Sequence, residues 1–189
     1  MVPIVTQGNL ATTYQKLGRL EEALRLRRAV YSGHLKLNGE ENEATLRAAS
    51  NYASTLSDLK RFEEAKSLLR RTIPTARRVL GECNEITLRM RWIYGRALCR
   101  DDGATLDYLR EAVTTLEDVE RTMRRVYGGA HPLLADIEGH LRQSRETLRA
   151  REETQARDAF RTARVNLAQE RSELAQTLAE ASVRPSRDA

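Results

Sequence analysis

The chain has 189 residues, 31% charged and 40% hydrophobic, with few aromatics, a composition of long amphipathic helices. Ten Gly and four Pro are too few for the turns of an all-β fold. The net charge is +5, and 28 of the 32 basic residues are Arg, but these alternate with Glu and Asp as solvated helix faces do, which argues against the dense basic patch of a nucleic-acid binder.

Taken in order, the chain writes a two-helix unit three times. The first unit, near 5–42, opens on a helix carrying "LATTY" (Leu10 to Tyr14), turns at Gly18, and continues in a second helix that starts Glu21–Glu22–Ala23 and ends near Gly39. Acidic residues in a first turn suit the positive end of the helix dipole, and glycine accepts the left-handed closing conformation. A helix entered almost at once exposes its outer apolar face unless Val2, Ile4 and Val5 cover it, so a piece of a longer array is one reading. Asn42 is the expected N-cap of the next helix.

The second unit, near 43–84, repeats the order: "YASTL" (Tyr52 to Leu56), a turn at Lys60, Glu63–Glu64–Ala65, Gly81, and Asn84 as the following cap. The third, near 85–130, carries "YGRAL" (Tyr94 to Leu98), a turn at Asp102–Gly103, Arg110–Glu111–Ala112 and Gly128. Asn9, Asn51 and Ile93 are 42 apart, as are Ala23 and Ala65, whereas Ala112 and Gly128 fall five residues late. The insertion is expected at the turn between the two helices of that unit, in or beside "DDGATLDYL". The Ala or Gly between two large apolar residues lets the neighbouring helix approach closely.

After His131–Pro132 a helix over 132–150 is expected to cap the array, with Arg142 and Arg145 on its polar outer side. Together these segments make residues 1–150 a repeat array. Residues 151–189 form a charged helical or partly disordered tail. There Phe160, Leu167, Leu174 and Ala181 are seven apart, but Arg and Glu crowd the other seam positions. A solvated helix is expected over a dimerisation zipper, and the oligomeric state stays open.

The order Leu/Tyr-small-x-x-Tyr/Leu, then Gly, then Ala resembles the tetratricopeptide repeat, which implies an all-α solenoid of helical hairpins. The 42-residue period, with "NLATTYQKLGRLEEAL" and "VYGGAHP", resembles the repeats of kinesin light chains over residues 5–140.

No catalytic constellation is present. His34, His131 and His140 have no Ser, Cys or carboxylate at a useful helical spacing, and His131 precedes a proline at a helix entry, where a turn role suffices. Cys83 and Cys99 have neither CxxC spacing nor nearby histidines, so reduced thiols are expected, with no metal and no cofactor. No stretch reaches the ~20 apolar residues of a membrane span, and no signal-peptide pattern opens the chain. A non-enzymatic cytoplasmic protein is therefore expected.

A stacked-hairpin array offers a groove lined by its first helices. Opposite the small packing residues lie Asn9, Thr12 and Lys16; Arg47, Asn51 and Ser54; and Arg89, Trp92, Arg96 and Arg100. An amide can exchange hydrogen bonds with a peptide backbone, and Arg can hold carboxylates bidentately. The resemblance implies that Asn9 and Asn51 clasp an extended peptide. The Arg group and Trp92 are read either as its acidic-residue site or as solubilising charge and core. The expected function is a scaffold for extended, acidic peptide segments of partner proteins. Its rivals are a kinesin-light-chain-like cargo adaptor, a regulatory array of a larger signalling ATPase, and an inert spacer.

Overall fold

The structure is a computed structural model and describes residues 3–101 and 103–182. Among them are seven α-helices and no strand: α1 (Ile4–Lys16), α2 (Leu20–Asn38), α3 (Glu43–Asp58), α4 (Phe62–Leu80), α5 (Glu85–Arg100), α6 (Leu106–Tyr127) and α7 (Pro132–Ser182). The chain divides into two compact units, Met1–Leu148 and Arg149–Ala189.

Local chemistry sets the helix ends. The side chains of Asn42 and Asn84 each accept from a backbone N–H two residues on, at 2.8 Å, and so cap α3 and α5. Thr105 does the same for α6 through Tyr108, a cap the sequence pattern had not marked. Gly39, Gly81 and Gly128 close α2, α4 and α6 with positive φ. The inter-helix turn uses the same conformation twice, at Gly18 (φ 73°) and at its equivalent Lys60 (φ 59°). Asp102 lies outside the described residues, as do Val2 and the side chains of Val5 and Ala181.

In the first unit each of α1 to α5 packs on the helix that follows it, and α3 also packs on α5. The small residues are the contact points: Ala11, Ala53, Ala23, Ala65 and Ala112 are wholly buried. At Gly95 a Cβ would stand 2.9 Å from Cγ of Leu116, so helix α6 fits there only because the side chain is absent. Leu46, Leu56, Leu69, Leu88, Ile93, Leu98 and Leu116 fill the spaces between helices, and Leu134, Ile137 and Leu141 of α7 join the same core. Arg145 faces outward and pairs with Glu117 at 2.7 Å, while Arg142 is exposed.

One expectation needs correction. The five extra residues of the third unit do not all sit in the turn: α6 has 22 residues against 19 in α2 and α4, so three of them extend its N-terminal end and two lengthen the turn. Continuing the helix keeps those residues hydrogen-bonded, which a longer loop would not. Ile4 is placed against the second helix of its own repeat. Its side chain packs toward α2, where a Cβ on Gly33 would be 3.0 Å from its Cδ1.

The second unit is helical from Arg149 to the end of α7, and its described side chains are exposed, Phe160, Leu167 and Leu174 included.

Candidate functional site: the face of the first helices

Helices α1, α3 and α5 present equivalent positions side by side, and polar bonds link them in series. Asp58 of α3 accepts from Nε2 of Gln15 on α1 at 2.9 Å and from Nη2 of Arg96 on α5 at 3.2 Å. Residues 12, 54 and 96 share one register, so this link fixes the alignment of the three helices on their common face.

Between α3 and α5 lies a cavity of about 240 Å³, lined by Glu43, Arg47, Ser50, Asn51, Asn84, Glu85, Ile86, Arg89 and Tyr127. Three of the expected residues, Arg47, Asn51 and Arg89, meet here. Arg47 is already engaged with Glu43 one helical turn away. Arg89 has no carboxylate partner among the described residues, and its Nε is buried without a hydrogen bond.

The other expected residues are placed differently. Asn9, Thr12 and Lys16 are exposed on α1, and Ser54 is half-buried on α3. Trp92 is 7% exposed and belongs to the core cluster, edge-on to His140 with ring centroids 5.8 Å apart. Arg96 is 8% exposed and lies over Trp92 at 5.4 Å from the ring centroid. Burial depresses the Arg96 pKa; Asp58 opposes that shift and Arg100 and Arg89 add to it. Arg100 lines a separate cavity of about 440 Å³ with Lys60, Phe62, Cys99, Asp101, Gln143 and Thr147. His140 is likewise pushed down by burial and by Arg96 and Arg100, although its bond to the Asp136 carbonyl acts the other way.

Arg27 of α2, which the sequence reading passed over, is the residue that most changes this face. It is 8% exposed and its Nη2 donates to Oγ1 of Thr12 at 2.9 Å. The signal was available: Arg27 occupies the register of Leu69 and Leu116, both wholly buried. His131 does take the expected turn role, its Nδ1 accepting from the N–H of Leu133 at 3.3 Å. Among the described residues no cluster of His, Cys, Asp and Glu could hold a metal ion, and no helix is long and apolar enough to cross a membrane.

A family model described as tetratricopeptide repeat matches residues 4–100. No curated protein matches the chain significantly in sequence. Among solved structures, BtubC (BKLC) from P. vanneervenii is similar with a TM-score of 0.51 and 15% identity, over 82% of this chain and 64% of that one. The chain therefore spans less than two thirds of BtubC. A putative kinesin light chain of Podosopora anserina with nearly identical TPR-like repeats gives a TM-score of 0.47 and 19% identity, over 81% of this chain and 90% of that one. A singly substituted form of the same protein gives 0.48 and 19%, over 93% and 96%. At these identities the likeness concerns the fold.

Proposed function

Because the chain belongs to the tetratricopeptide-repeat family, whose arrays serve as protein-interaction scaffolds, we propose that the face of α1, α3 and α5 is a concave groove that holds extended, acidic peptide segments of partner proteins. One observation carries this reading: Asn51 and the unpaired Arg89 line the same cavity between α3 and α5. There an amide can exchange hydrogen bonds with a peptide backbone while a guanidinium takes a carboxylate. Asn9 extends the row of amides along α1, and Arg47, paired with Glu43, lines the same cavity. Cys83 and Cys99 are free thiols, which accords with a cytoplasmic location.

The test begins with a pull-down and mass spectrometry to obtain a partner segment, followed by calorimetry on that peptide. Asn51→Ala is expected to weaken binding by about 1 kcal/mol, since the peptide group opposite loses its partner. Arg89→Ala is expected to weaken acidic segments more than neutral ones and to flatten the salt dependence. Unchanged affinity in both folded variants would place the ligand elsewhere.

A further inference from the structure

Helix α7 carries a row of uncovered apolar side chains through the second unit. Phe160, Leu167, Leu174 and Leu178 are between 57% and 70% exposed. Counted in sevens, the seam fills with Arg164 and Arg171, which a two-stranded zipper holds poorly. Counted in elevens, the row is apolar: Ala156, Leu167 and Leu178 are eleven apart, and so are Ala163 and Leu174. Phe160 falls between them, and Arg171, eleven further on, breaks the row. An eleven-residue spacing is about 3.67 residues per turn, close to the helix's own value of about 3.6, so these side chains form a nearly straight stripe along one face.

The charges along the same stretch are segregated. Residues 149–165 hold five arginines against three acids, whereas residues 166–179 hold one arginine against two glutamates. Arg164 and Arg171 flank the stripe with no carboxylate three or four residues away, so helical spacing gives neither a partner. These charges distinguish between covers for the stripe. A membrane surface takes a helix with an excess of Lys and Arg on its polar face, and the near balance of charge here lacks that excess. A second copy running antiparallel lays the basic segment of each helix on the acidic segment of the other, whereas a parallel copy lays like on like.

We propose that the α7 stripe is a self-association surface on which a second copy of this chain packs antiparallel, the two helices being centred on each other between residues 170 and 171. In that register Leu167 of each copy meets Leu174 of the other, and Leu178 meets Ala163, a large side chain against a small one. Arg171, the break in the stripe, comes beside Glu170 of the second copy. A single polar position in an apolar seam specifies register in this way, because any other alignment leaves its charge unanswered.

The test uses the full chain. Sedimentation over a concentration series is expected to show a monomer–dimer equilibrium that weakens as salt is raised, because antiparallel alignment makes the net charge interaction attractive. Leu167→Ala with Leu174→Ala, which keeps the helix, is expected to weaken association at least about tenfold. Arg157→Glu with Arg164→Glu, and separately Glu170→Arg with Glu173→Arg, should each impair self-association, and mixing the two proteins should restore a dimer. A spin label on Thr154→Cys, in a Cys83→Ser, Cys99→Ala background, is expected to lie about 50 Å from its counterpart, against about 10–20 Å in a parallel pair. A chain that is monomeric at every concentration overturns the proposal, as does a dimer indifferent to the leucine variant. A dimer that strengthens with salt, or that shows the short label distance, overturns the antiparallel alignment. Binding of a monomeric chain to vesicles of anionic phospholipid, lost in the leucine variant, would assign the stripe to a membrane surface instead.

Discussion

Arg96 and Asp58 form an ion pair between α5 and α3, at 3.2 Å, with the arginine 8% exposed. The carboxylate's other oxygen is taken by Gln15, so one side chain joins three helices. Asp58→Ala leaves a buried guanidinium without its counter-charge and is expected to destabilise the fold by about 3 kcal/mol. Arg96→Met removes the charge together with its need and should cost clearly less. Chemical denaturation of the two variants checks the order; equal costs would mean the pair carries little of the register.

Ala65 is wholly buried where α4 meets its neighbours. Ala65→Arg forces a long charged side chain into that contact, at a cost of several kcal/mol, on the order of the summed overpacking and charge-burial penalties. Gly95→Ala is the milder version. The new Cβ would meet Leu116 at 2.9 Å, and a loss of about 1–3 kcal/mol is expected by thermal melting.

Lys60 holds φ 59° in the turn where the first unit has Gly18. A left-handed conformation costs an L-residue roughly 1–2 kcal/mol, partly offset because glycine loses more backbone entropy on folding. Lys60→Gly is therefore expected to stabilise by about 0.5–1 kcal/mol. A lower denaturation midpoint would show that the lysine side chain contributes more than its backbone costs.

Lys66 is wholly buried and bonded to Asp101 at 2.7 Å and Glu63 at 2.6 Å. Burial opposes its charge, but the bonds to Asp101 and Glu63 outweigh that and hold its pKa above the ordinary value. The Lys66 bond holds the Asp101 carboxyl below the usual range. A depressed acid stabilises the fold above its unfolded pKa and loses that contribution as pH falls through the folded one, whereas the raised Lys66 loses its contribution only as pH rises above about 10. Stability should accordingly drop below about pH 4 by this route, and Asp101→Asn should cost about 2–3 kcal/mol at neutral pH while flattening the acid limb. Urea midpoints of parent and variant from about pH 3 to 7 test it; parallel curves would exclude Asp101 as a source of the acid limb.

What the amino-acid sequence determined by itself is the part governed by near neighbours. The 42-residue period, the caps at Asn42 and Asn84 and the glycine stops at Gly39, Gly81 and Gly128 depend on backbone groups within a turn of each residue, and all were readable. So was the close packing at Ala23, Ala65 and Ala112, because recurrence at one register marks the face that must be small. Of the proposed groove, the pattern offered Asn51 and Arg89, which line one cavity. It could not offer which charges are buried and what answers them. Asp58 reaches Arg96 across 38 residues and Lys66 reaches Asp101 across 35, so only the stacking of helices decides that these charges are paired. The same stacking draws Trp92 into the core and buries Arg27 against Thr12 with no described carboxylate paired to it. The cost of a buried charge depends on everything packed around it, and that surrounding is assembled only in the tertiary structure.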